Sequence, residues 1–179
     1  MASAGIAKGS VYQYFDDKLA LYRHLVDHAG RAKFGFVDAS LPERAEGFFA
    51  QVRLAIFHGA RFDFTHPREG SLLYRATYEP SVPEVSAELR ATSYAYVRGL
   101  VTAGVRRGDL RPDLDVEFAV FAVYQLSVAM RDFLSERFGF SFKDAVRRGG
   151  GSPVPGDELL AALDEVAELL RRGMGASRS

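Results

Sequence analysis

The feature that most constrains this chain is the spacing of its apolar residues between proline and glycine breaks. Apolar side chains recur at three- and four-residue intervals, and no long alternating β-branched run with a hairpin turn appears, so the sequence reads as helices almost throughout. Asp16-Asp17 supplies a helix start for a segment reaching about Val37, with Leu21, Leu25 and Val26 on its apolar face, and Leu41-Pro42 breaks it. A second long helix is expected from Pro42 through Phe48, Phe49, Val52 and Ile56 towards Phe62, closed by His66-Pro67. A short helix near Glu69 to Thr77 follows. Pro80 and Pro83 then confine the next one to about Glu84 through Arg107, and Gly108-Asp109 makes the turn.

Pro112 and Asp113 open the most apolar helix, 113–136. In it Val116, Phe118, Val120, Phe121, Val123, Leu126 and Val128 surround the axis, so it must be covered on more than one side. Residues 139–156 are rich in Gly, Pro and Ser and predict a mobile loop. The last helix, 157–172, carries Leu159, Leu160, Leu163, Val166, Leu169 and Leu170. Its acids, Asp157 and Glu158, come early and its bases, Arg171-Arg172, come late, as the helix dipole favours.

Composition removes several function classes. With 47% apolar residues in 179, the chain can bury a substantial core. It has no cysteine, which excludes a disulfide framework, a thiolate zinc site and a cysteine nucleophile. Basic and acidic residues balance at 23 each, so any nucleic-acid binding must rest on a local patch. The longest apolar-rich stretch, Val116 to Met130, is interrupted by Glu117 and Gln125 and is shorter than the ~20 residues of a membrane helix. No membrane partner and a cytoplasmic location are the expectation.

The most informative segment is Ala4-Gly5-Ile6-Ala7-Lys8-Gly9-Ser10-Val11-Tyr12-Gln13-Tyr14-Phe15, followed by Asp16-Asp17-Lys18 and Leu21. Gly5 permits the left-handed backbone that joins two helices steeply, and Ala4 is small enough for their close approach. Val11 and Phe15, four apart, share one face of a short helix, which turns Ser10, Tyr12, Gln13 and Tyr14 outward. In a helix-turn-helix the second helix enters the major groove N-terminus first. Tyrosine hydroxyls suit phosphate oxygens, Gln13 has the paired donor and acceptor that match adenine, and Lys8 and Lys18 add charge for phosphates.

This string closely resembles the recognition turn of the TetR (tetracycline-repressor-like) family of transcriptional regulators. Its pattern is alanine-glycine, an apolar residue, serine or threonine, lysine, glycine and then a Tyr-x-Tyr-Phe helix. The resemblance implies an all-α fold, the remnant of a three-helix head (1–33) followed by an effector-binding and dimerisation bundle (34–179). It places Lys8, Gly9, Ser10, Tyr12, Gln13, Tyr14 and Lys18 at DNA-facing positions, with Val11, Phe15 and Leu21 structural. Ala7 and Leu19 depart from the pattern, Ala7 losing a capping hydroxyl at a cost of ~1 kcal/mol. The family also precedes this turn with a full helix and most of a second, whereas only Met1-Ala2-Ser3 precedes Ala4 here. The expectation is a natural chain with roughly thirty more residues upstream, consistent with a three-helix head.

The resemblance further implies a ligand-responsive regulator, by default a repressor whose full-length form binds a palindromic operator and is released when a small effector enters the bundle. It also implies a homodimer pairing through the helices near 113–136 and 157–172. Effector contacts are expected among Phe57, His58, Arg61, Tyr74, Tyr78, Tyr94, Phe121, Tyr124 and Gln125, with Arg75 and Arg131 as further polar groups, because pockets are mainly apolar with a few placed polar atoms. No cofactor is expected. His24 and His28 have the spacing of a helical metal pair, yet Leu25 replaces the glutamate of the zinc motif and no third ligand is evident, so exposed histidines are expected. No phosphate loop and no Ser-His-Asp grouping points to an enzyme. The alternative is a small-molecule binding or carrier module without DNA function.

Overall fold

Four helix starts here are set by residues that either accept the first orphan backbone N–H groups or lack one themselves. The structure, a computed structural model, describes residues 14–41 and 47–176. Among these it contains seven helices and no strand: α1 Lys18–Ser40, α2 Gly47–Thr65, α3 Pro67–Tyr78, α4 Pro83–Arg107, α5 Val116–Phe138, α6 Phe142–Arg148 and α7 Gly156–Met174. Asp17 caps α1 by accepting the Ala20 N–H at 2.7 Å, and Asp115 caps α5 by accepting those of Glu117 and Phe118 at 3.0 and 3.1 Å. Pro67 and Pro83 open α3 and α4, where a missing N–H costs nothing. Gly108 and Gly139 end α4 and α5 in the left-handed region, at φ +75° and +64°, which a glycine adopts without a Cβ penalty.

The bundle is organised around α2, which packs against α1, α3, α4, α5 and α7. Its Phe48, Phe62 and Phe64 are almost wholly removed from water. Each such side chain contributes roughly 1.5–3 kcal/mol of burial, enough to make this helix the axis of the core. Helix α4 crosses close by because Gly104 has no side chain: a Cβ there would meet the Phe48 ring at 2.9 Å. The main core joins α2, α4, α5 and α7, and a second cluster, built on Val26, Ala29, Leu73, Ala76 and Val85, joins α1, α3 and the start of α4.

Two expectations need correction. Leu25 lies off the apolar face of α1 and is 44% exposed, because the buried stripe runs through Val26, Ala29, Gly30 and Val37 at helical spacing. The segment 139–156, expected to be loop throughout, contains α6. That helix stops at Gly149 (φ +80°), the Gly151 N–H donates to the Phe64 carbonyl at 3.0 Å, and Ala145 and Val154 are buried, so the segment docks on the end of α2. The expected start of the second helix at Pro42 lies outside the described residues. Helix α1 runs unbroken through residues 33 and 34, so the expected domain boundary falls inside it. Among the described residues no helix is long and apolar enough to cross a membrane.

Candidate effector cavity and DNA-facing segment

Small side chains leave a hole where five helices meet. Gly30 on α1, Ala55, Gly59 and Ala60 on α2, Gly70 on α3, Ser93 on α4 and Ser127 on α5 line a cavity of about 220 Å³. The rest of its wall is mostly apolar, including Val37, Ile56, Leu73, Leu89, Val97, Leu100 and Met130. Gly70 is required by close approach, since a Cβ there would lie 2.6 Å from the Asp63 carboxylate and 2.9 Å from Asp63 Cα.

A buried polar cluster closes one part of this wall. Asp63 is 6% exposed, and Lys33 Nζ, reaching from α1, donates to both its oxygens at 2.8 and 2.9 Å. Arg131 of α5 stands 4.0 Å from the same carboxylate, donates to the Gly70 carbonyl at 2.9 Å, and lies over the Tyr74 ring at 4.4 Å. Burial pulls the Arg131 guanidinium below its ordinary pKa, while Asp63, Tyr74 and Asp132 oppose the shift. The tyrosines of the wall stay neutral phenols: burial raises Tyr74, Tyr96 and Tyr124. Hydrogen bonds from Tyr74 to Asp132 and from Tyr96 to Asp38 add to the rise in those two.

Of the expected effector residues, the structure brings Tyr74 and Tyr124 to this cavity, together with Arg131. Phe57 is buried in the main core, with His58 and Arg61 beside it on α2 but off the lining, and Arg61 exposed. Tyr94 packs its ring, tilted by 46°, against that of Tyr124 at 4.6 Å from outside the lining, and Tyr78, 56% exposed, sits at the end of α3. Phe121 and Gln125 on α5 are exposed and off the lining, and Arg75 is exposed. A helix apolar all round gives no phase, so sequence periodicity had no means of separating its inner from its outer side. Lys33 and Asp63 were missed, although an aspartate between Phe62 and Phe64 in an apolar run is a signal of a paired, buried charge.

Of the expected DNA-facing residues, Lys8, Gly9, Ser10, Tyr12 and Gln13 lie outside the described residues, as does Val11. Tyr14 is 81% exposed, and Lys18 is exposed in the first turn of α1. Phe15 is half-buried with its ring 5.2 Å from that of His24, and Leu21 is half-buried. His24 and His28 stack at 6.5 Å and are both exposed. Among the described residues no group of three potential metal ligands forms.

The cavity lies against α1, the helix that follows the exposed Tyr14, and the comparisons supply the class of protein. The chain is similar to a TetR family transcriptional regulator from Chloroflexus aurantiacus, with 32% identity, TM-score 0.77, and coverage of 97% of this chain and 80% of that one. The chain belongs to the TetR family of DNA-binding transcriptional regulators. The same fold occurs in a Rhodococcus protein of unknown function (17% identity, TM-score 0.61, 96% and 80% coverage). It occurs also in a ketosteroid transcriptional regulator of Mycobacterium tuberculosis (15% identity, TM-score 0.54, 97% and 81% coverage). No protein-family model and no curated protein matches the sequence.

Proposed function

We propose that this regulator is ligand-responsive: a small molecule enters the cavity between α1 and α2–α5 and weakens binding to a palindromic operator. The observation that carries the reading is the position of α1. This one helix bears Lys18 at its start, beside the exposed Tyr14, and Lys33 in the cavity wall, so a ligand that moves the second moves the first. Residues 1–33 act as the reading head, with Lys8, Gly9, Ser10, Tyr12, Gln13, Tyr14 and Lys18 facing DNA, and residues 34–179 act as sensor and dimer platform. The mechanism is a population shift, in which the effector favours a geometry whose heads are misplaced for adjacent major grooves.

A homodimer supplies the second head. Phe118, Phe121 and Phe133 on α5 and Leu169 on α7 are exposed at 64, 46, 37 and 63%, a set of large apolar side chains that supports a protein interface through these two helices. Twofold symmetry then sets the recognition helices ~34–36 Å apart, matched to two half-sites. The cytoplasm, where the operator lies, is the proposed location.

Native mass spectrometry of the protein purified from its own cells tests the ligand response by identifying a retained small molecule. Added to the operator complex, that molecule lowers operator affinity, and the operator weakens ligand binding by the same factor. A retained ligand whose affinity ignores operator DNA contradicts the proposal.

A further inference from the structure

Among the described lining residues of the cavity the charged ones are Lys33, Asp63 and Arg131, and they compensate one another. Lys33 gives two of its three ammonium protons to Asp63 at 2.8 and 2.9 Å. Arg131 stands 4.0 Å from the same carboxylate, donates to the Gly70 carbonyl, lies over the Tyr74 ring and also feels the charge of Asp132. An anion on the remaining Lys33 proton would sit beside the Asp63 carboxylate and be repelled by it, while a cation would compete with Lys33 and Arg131 for that one carboxylate. Either ion disturbs a compensated cluster whose carboxylate is removed from water, which is where unpaired charge costs most.

The hydroxyl protons of the wall are committed in the same way. Thr77, Ser93 and Ser127 donate back to the carbonyls of Leu73, Leu89 and Val123 on their own helices. Tyr74 and Tyr96 donate to the exposed carboxylates of Asp132 and Asp38. Tyr124 stays a neutral phenol, so it brings no charge. Most of what remains is hydrocarbon, with Ile56, Leu73, Leu89, Val97, Leu100 and Met130 supplied by four different helices.

Size adds the last constraint. An apolar cavity of ~150 Å³ takes benzene, so about 220 Å³ takes a body of roughly nine heavy atoms. Resting on the reading of this cavity as the effector site, we infer that the effector is a compact, uncharged, largely hydrocarbon molecule that fills the space beside the Lys33–Asp63–Arg131 cluster without entering it. Its binding comes from apolar surface removed from water, and the compensated cluster selects against ions of either sign.

Isothermal titration of the whole protein with 2-phenylethanol, phenylacetate and phenethylammonium at pH 7 tests this, because the three share one hydrocarbon body and differ in charge. 2-Phenylethanol binds at least about tenfold tighter than either ion, since the ions lose hydration that the wall does not replace. Asp63→Asn removes the compensating carboxylate, and phenylacetate then binds at least about tenfold tighter than it does to the wild type, as a newly freed charged donor requires. The wild-type ranking carries the test by itself if that variant does not fold. An ion that binds the wild type within about tenfold of the alcohol, or an Asp63→Asn protein that takes phenylacetate no better, overturns the inferred neutrality and leaves the cavity standing as a binding site. Failure of all three to bind overturns the inference together with the cavity reading on which it rests.

Discussion

Asp63→Ala is the substitution on which the cavity's electrostatics place the sharpest demand. Asp63 is 8% exposed at its side chain and Lys33 is 29% exposed, and they meet through two contacts at 2.8 and 2.9 Å. Removing one member of a buried pair costs ~3–5 kcal/mol because the other charge is left without compensation. Lys33 has some access to water, which brings the expected loss to about 2–3 kcal/mol. For a chain of this size that lowers Tm by roughly 4–12 °C. Lys33→Ala costs less, because Arg131, already 4.0 Å from Asp63, closes on the carboxylate, whereas no second carboxylate among the described lining residues is at hand to receive Lys33. Urea unfolding of both single variants and the double variant, followed by helical circular dichroism, measures the cycle. A coupling of about 1 kcal/mol or more is expected, with Asp63→Ala the costlier single change. Additive effects, or a larger loss from Lys33→Ala, refute the reasoning.

Gly70→Ala drives a methyl group into the Asp63 side chain and backbone, and a thermal melt registers an overpacking cost of about 1–3 kcal/mol; an unchanged Tm contradicts the close approach of α2 and α3. Burial, helped by the nearby Arg61 charge, lowers the His58 pKa. The folded state therefore resists a proton that the unfolded chain takes up, so stability is full above about pH 6.5 and falls as the pH drops below it. Melts of His58→Gln across pH 5–8 lose that acid limb, and an identical profile refutes the assignment. Lys18→Ala weakens operator binding about equally across sequences and lowers the salt slope by about one, as measured by anisotropy at several salt concentrations; an unaltered slope removes Lys18 from the phosphate contacts.

Much of this fold is legible in the sequence because its punctuation is local chemistry. Asp17, Pro67, Pro83, Gly108 and Gly139 each act through their own backbone or the next turn, so the helix ends they set are readable from neighbours in the chain. Helix α6 was hidden by composition, since glycines at positive φ permit a docked turn as readily as an open loop, and only the tertiary anchors Ala145 and Val154 decide between them. The cavity is less legible still. Lys33, Asp63 and Arg131 come from three helices, and no period within one element predicts that they converge. Tyr74 and Tyr124 were identifiable as aromatics near a bundle interior, but telling them from Phe121 or Tyr78 required the rotation of each helix about its axis, which packing alone fixes.

The central claim is that the segment around Tyr14 reads DNA sequence. Fluorescence anisotropy on a palindromic duplex selected by the protein from a random pool tests it most directly. Saturable binding with two protomers per duplex, about 10³-fold or more tighter than to an unrelated duplex of equal length, is the predicted result. Equal affinity for the selected and unrelated duplexes contradicts the account.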